Sequence, residues 1–180
     1  LKWTAANSVT KKIKVILHKG GFAGDLITAL YDKTNFIDLS DNGKVNLNPK
    51  VTELQSKNTL SLKAKNDLLQ KNNVISVCDT EFAFIHRKTS LILYSSVDKM
   101  TKFFCERFEK YHPHNFHSMS IDDYVDEHDK WRDFWLEKFP NKLDMAKIFD
   151  SNFLDNVPFL DASKQNIDIL YKWKTLNRTF

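Results

Sequence analysis

Apolar residues in this chain fall into two patterns. Three short runs are almost wholly apolar: Ile13-Lys14-Val15-Ile16-Leu17, Val74-Ile75-Ser76-Val77-Cys78 and Ser90-Leu91-Ile92-Leu93-Tyr94. Their length and β-branched content predict strands buried on both faces. Elsewhere apolar residues recur every three or four positions, the period of one helix face. Residues 25–31, Asp-Leu-Ile-Thr-Ala-Leu-Tyr, predict a helix with an acid in its first turn. Residues 98–111 carry Met100, Phe103, Phe104, Phe108 and Tyr111 on one stripe. A helix opening at Ser120 presents Ile121, Tyr124, Val125, His128, Trp131, Trp135 and Phe139 and stops at Pro140. Shorter helical patterns cover 143–149 and 163–176, and a less regular one covers 49–71. Residues 79–88 follow neither period.

Continuous apolar strands alternating with helices predict an α/β fold: a few-stranded, mostly parallel sheet flanked by helices, with a helix-rich C-terminal half. The strand at 13–17 is expected at the centre, beside the strand at 74–78, because sequential strands of a βαβ unit lie close together. A length of 180 residues suits one domain with a real core. Residues 1–11 are polar and read as an N-terminal arm. Residues 40–73 are rich in Lys, Asn and Ser and lack aromatics, which marks a polar variable region around the turn signal Asp41-Asn42-Gly43.

Charge narrows the partners. The formal net charge is +4, from 27 basic and 23 acidic residues that are interspersed. A dedicated nucleic-acid binder clusters its basic residues on one face, so nucleic acid is not the expected partner. No stretch approaches the roughly 18 apolar residues of a membrane span. The start, Leu1-Lys2-Trp3-Thr4, has neither Met nor the apolar run of a signal peptide, which predicts a processed or trimmed chain. The expected location is intracellular and cytoplasmic. The excess of Lys over Arg and the frequent Asn are the mark of an AT-rich genome, such as that of a virus acting in its host cell, a phage or an AT-rich microbe. Cys78 and Cys105 have no metal-binding spacing and read either as buried thiols in a reducing compartment or as partners in a disulfide.

The candidate chemistry lies in one turn. Three of the four glycines fall within Lys19-Gly20-Gly21-Phe22-Ala23-Gly24-Asp25, between the first strand and the first helix. In a parallel α/β sheet, ligands bind beyond the carboxyl ends of the strands. There, glycines let backbone N–H groups close on an anion, and the helix N-terminus adds positive potential. Lys19, Gly20, Gly21 and Gly24 are therefore candidate phosphate contacts, with Arg87 or Arg107 as a second cation. Asp25 or Asp79 is the candidate base of a group transfer.

The order strand, Gly20-x-x-x-Gly24, helix resembles the P-loop fold, which includes nucleoside kinases and sulfotransferases. In kinases of that fold the second glycine is followed by Lys and then Ser or Thr. Here Asp25 and Leu26 follow, and the spacing is one residue shorter. The order Lys19-x-Gly21 is similar to the sulfotransferase loop, although Gly20, Phe22 and Ala23 stand where that loop carries Ser and Thr. Ile16-Leu17 followed by Gly24-Asp25-Leu26-Ile27 looks like the first loop of heptosyltransferase-type glycosyltransferases. Each resemblance covers about 15 residues. Together they imply a nucleotide or phosphate ligand and a group transfer, with no cofactor named.

A second expectation stands beside this one. Gly20-Gly21 can serve only as a tight turn, with Asp25 charging the helix start. The chain would then be a non-catalytic, self-associating structural protein of viral origin with a degenerate nucleotide-binding fold. Trp131, Phe134 and Trp135 exceed one helix face, and the surplus aromatic surface would serve contacts between copies. His112-x-His114-x-x-His117 lies in a loop with Pro113, where solvated histidines are expected and no metal is assigned. The acids between Asp122 and Asp129 do not have the spacing of a calcium loop and read as a charged helix start.

Overall fold

The first apolar run forms β1 (Val15–Leu17), and the glycine turn leads from it into α1 (Gly24–Tyr31). The computed structural model describes residues 12–31, 37–39, 45–47, 61–71, 74–111, 119–150, 152–158, 160 and 164–177. The arm at 1–11, most of the helical pattern at 49–71 and the loop at 112–117 lie outside the described residues. After α1 come the antiparallel pair β2 (Ile37–Leu39) and β3 (Val45–Leu47), then α2 (Leu62–Gln70). The second apolar run forms β4 (Ile75–Val77), followed by α3 (Thr80–Ile85) and a single 3₁₀ turn at Arg87–Thr89. The third forms β5 (Ser90–Tyr94).

The second half is mostly helical. It holds α4 (Asp98–Tyr111), α5 (Ile121–Trp135), a 3₁₀ turn at Leu136–Lys138, β6 (Asn141–Asp144) and α6 (Lys164–Leu176). Short polar side chains start several of these elements. Ser61, Asp79 and Ser120 accept the N–H of Ala64, Phe82 and Asp123, which satisfies donors that a helix start otherwise leaves open.

The main sheet has four parallel strands in the order β4-β1-β5-β6. β1 is central as expected, and its Val15, Ile16 and Leu17 are fully buried. The ladder continues one residue before it, since Lys14 N–H donates to Thr89 O and Ile75 N–H donates to Lys14 O. Helices cover both faces. Ile16, Leu91 and Leu93 pack with Leu26, Phe104 and Trp173 on one side, while Val15, Leu17 and Ile92 pack with Leu69, Phe82 and Phe139 on the other. Two-sided burial is why these strands read as unbroken apolar runs.

One element differs from the sequence reading, and another takes a shape that reading left open. Residues 143–149, expected as a helix, divide into the end of β6 and a 3₁₀ segment at Met145–Phe149. Asn141 is opposite Leu91 in the ladder and its side-chain amide donates to Ser90 O, so sheet pairing outweighs helix propensity there. Residues 79–88, which carried no period, form α3 and the following 3₁₀ turn. These are too short for a 3.6-residue pattern to show.

Candidate functional site

The order β4-β1-β5-β6 means that successive strands are added first on one side of β1 and then on the other. The crevice at such a reversal, beyond the carboxyl ends of the strands, is where open α/β sheets bind ligands. His18 and Lys19 leave the carboxyl end of β1 here, Cys78 and Asp79 leave β4, and Ser95 and Ser96 leave β5.

The glycine turn is shaped by close packing. Gly21 has φ +84°, and a Cβ there would stand 2.0 Å from the carbonyl oxygen of Phe104. A Cβ on Gly20 would lie 3.0 Å from the ring of Phe108, and one on Gly24 would lie 2.2 Å from the ring of His18. Gly21 is thus required by a neighbouring backbone and by its own backbone angle, whereas Gly20 and Gly24 abut side chains, with α4 pressed against the turn. Ala23 also adopts a left-handed backbone, φ +53°, just before α1. Such angles in a non-glycine residue are uncommon and carry strain.

His18 lies over Gly24 and is held at both ring nitrogens. In the neutral ring, Nδ1–H donates to Lys19 O at 2.9 Å, and Nε2 accepts from the Ser76 hydroxyl at 2.6 Å. The opposite flank of the turn is closed by α5. Tyr124 donates its hydroxyl hydrogen to Gly20 O. Its burial pushes the phenol well above the ordinary tyrosine range, so the hydroxyl stays protonated and keeps this donor.

Lys19 reaches into the same region. Its ammonium is 3.9 Å from Glu127 and 5.7 Å from the centre of the Tyr124 ring, and 22% of its side chain is exposed. Burial lowers its pKa, partly offset by Glu127 and Cys78. Lys19 is thus a partly desolvated cation at the strand's carboxyl end, partly compensated by the Glu127 carboxylate.

His128, on α5, packs between Phe22 of the glycine turn and Ser95, which follows β5. Its Nε2 accepts the Ser95 N–H at 3.3 Å, leaving Nδ1–H for Asp129 at 3.2 Å. It is fully buried, and desolvation lowers its pKa to about 4. Arg132 donates to Ser95 O at 3.1 Å and to Asp129 at 2.8 Å. On the next strand Asp144 accepts the Ser96 N–H and hydroxyl and the Ala146 N–H, which pins the end of β5 to the start of the 3₁₀ segment.

Of the remaining residues singled out from the sequence, Asp25 and Asp79 lie at the carboxyl edge, whereas the two arginines are directed elsewhere. Asp25 is exposed in the first turn of α1. Asp79 caps α3 through Phe82 N–H at 3.0 Å and accepts from the buried Lys65 at 2.7 Å. The Lys65 hydrogen bond and the Phe82 N–H hold its carboxyl below the usual range, so it is an anchored carboxylate. Arg87 precedes β5, at the amino edge of the parallel sheet and opposite the glycine turn, and lies 4.9 Å over the Phe84 ring. Arg107 is on α4 next to Phe108, yet its guanidinium is 5.1 Å from the Trp173 ring and 5.8 Å from the Phe103 ring. The two arginines therefore do not converge on one anion.

Cys105 is buried, and its thiol is pushed up to about 11, whereas Cys78 is exposed because it follows the last paired residue of β4; the two form no disulfide. His18, Tyr124, Glu127, His128 and Arg132 join the site without having been selected from the sequence. The one available signal was a histidine, His128, on the apolar stripe of a helix. Among the described residues no group of three or more His, Cys, Asp or Glu is placed to hold a metal, and no helix is long and apolar enough to cross a membrane. The histidines at 112–117 lie outside the described residues.

No family model, no curated protein and no solved structure matches this chain.

Proposed function

We propose that this chain binds a phosphate-bearing ligand, such as a nucleotide, at the carboxyl edge of β1 and uses it in a group transfer. The observation that carries this reading is Lys19: a half-buried ammonium at the end of the central strand, where the strand order reverses, beside a left-handed turn leading into a helix N-terminus. Lys19 supplies the charge, and the start of α1 supplies backbone donors and positive potential. Asp25, exposed in that first turn, is the carboxylate nearest along the chain to an incoming acceptor.

The test is a thermal melt of the parent and of Lys19→Ala against a panel of nucleotides and sugar nucleotides. A ligand-induced rise in Tm in the parent that is lost in Lys19→Ala is the expected result. A charge-assisted contact of roughly 1.5–3 kcal/mol corresponds to a tenfold to hundredfold loss of affinity. No shift with any ligand at millimolar concentration overturns the reading.

A second reading, a non-catalytic protein that reuses the fold as a self-associating scaffold, draws support from the packing on the turn. Tyr124 caps Gly20 O, and Phe104 and Phe108 occupy the space beside Gly20 and Gly21. The null result above, together with concentration-dependent assembly in sedimentation, is what that reading expects.

A further inference from the structure

We infer that the amino edge of the sheet carries a docking surface for an acidic segment of another protein with aliphatic or aromatic anchors. This surface lies at the opposite edge from Lys19 and is independent of the ligand reading. It is built where the end of α3 meets the end of α5. The Phe84 ring lies 5.6 Å from Trp135 and 6.1 Å from the buried Phe139, and Trp135 lies 5.0 Å edge-on to Phe134. This ladder runs from the core to the solvent, where Phe134 is 59% exposed, and Ile85, next to Phe84, is 66% exposed.

Cations line the ladder. Lys138 stands 3.8 Å over the Phe134 ring and 5.7 Å from Trp135, and Arg87 stands 4.9 Å over Phe84. Lys88 is exposed in the same 3₁₀ turn as Arg87. Of the nearby acids, Asp133 is engaged by Arg132 at 3.0 Å and Glu137 by Lys142 at 3.0 Å, while Glu81, one turn before Ile85 on α3, is exposed and is outnumbered by Arg87, Lys88 and Lys138. None of Arg87, Lys88 and Lys138 forms an ion pair with a described carboxylate. Apolar anchors within a cationic rim call for a partner of complementary charge.

The same geometry argues against other occupants. Nucleobases stack on open aromatic faces, and here a cation already occupies one face of Phe134 and one face of Phe84. The exposed acids Asp122, Asp126 and Glu127 lie at the other end of α5 from Phe134, on the Lys19 side. A second copy could offer that acidic half of α5, but its apolar residues Tyr124 and Val125 face inward and leave no anchor.

The test uses two fluorescein-labelled amphipathic helical peptides with Leu at the same positions, one rich in Glu and one rich in Lys, measured by anisotropy at low and high salt. The acidic peptide is expected to bind, with affinity falling as salt rises, and the basic peptide is not. Arg87→Glu/Lys138→Glu should weaken the acidic peptide at least about tenfold and gain the basic one, with an unchanged melt. Phe134→Ser should weaken the acidic peptide without reversing the preference. Equal binding of both peptides, or none at millimolar peptide, overturns the inference. So does binding of phosphatidylserine vesicles in place of the acidic peptide, or self-association that the charge reversal abolishes.

Discussion

The imidazole of His128 lies 4.9 Å from the ring of Phe22 and nearly parallel to it, at 11°. Phe22 belongs to the glycine turn and is itself fully buried. The stack couples the turn to α5, and the Ser95 N–H bonded to Nε2 couples both to β5. That bond exists only while Nε2 is unprotonated.

Stability should therefore fall on mild acidification. Folded His128 takes its proton near pH 4 because burial disfavours the charge, with Arg132 and Lys19 adding to the effect and Asp129 opposing it. In the unfolded chain it does so near pH 6.5. Between these values the unfolded chain binds more protons, so unfolding free energy rises with pH, by up to about 1.4 kcal/mol per pH unit from this residue. The full contribution is present above pH 6.5 and is lost by about pH 4. Urea titrations across this range should show the slope. His128→Phe should be less stable at pH 7, with Ser95 N–H left without its acceptor, and should lose most of that dependence.

The glycines of the turn should differ in tolerance. Gly21→Ala places a Cβ 2.0 Å from a backbone carbonyl and forces a left-handed angle on alanine. A loss of about 3 kcal/mol or more, or failure to fold, is expected. Gly24→Ala meets the His18 ring, which can rotate away at the expense of its Ser76 bond, so a loss nearer 1–2 kcal/mol is expected. Thermal melts of the two variants side by side check the order.

Ala23 offers the converse. Its φ of +53° is one that glycine adopts without strain. Ala23→Gly should leave stability unchanged or raise it by up to about 1 kcal/mol, since relief of strain slightly exceeds the entropy glycine adds to the unfolded chain. A clear drop in the denaturation midpoint would contradict this.

Asp79 and Lys65 should behave asymmetrically. Asp79→Ala removes a helix cap and leaves the buried Lys65 ammonium without its carboxylate, for a loss of about 2–3 kcal/mol. Lys65→Met keeps the cap and fills similar space over the Phe82 ring, so it should lose less. Adding Lys65→Met to Asp79→Ala should restore part of the stability, and a double-mutant cycle by chemical denaturation measures it.

The strands β1, β4 and β5 and the helices α1, α4 and α5 were legible in the sequence, because burial on two faces or along one stripe imposes its period on the residues. The glycine turn was legible as a backbone requirement, since three glycines between Leu17 and Leu26 in a chain so poor in glycine need a cause. The cause itself lay in the tertiary structure. The atoms that exclude a Cβ belong to Phe104, Phe108 and His18, two of them more than 80 positions along the chain from Gly21. The short β6 was not legible, because a four-residue edge strand is decided by its partner β5 and by Asn141 bonding across to Ser90. Folding alone also decided which charges meet. It set Lys19 beside Glu127 and Tyr124, placed Arg87 at the far edge of the sheet and turned Arg107 to Trp173. Local periodicity carries information about which face is buried, whereas the meeting of two side chains depends on how distant helices dock, and that is set by packing across the whole core.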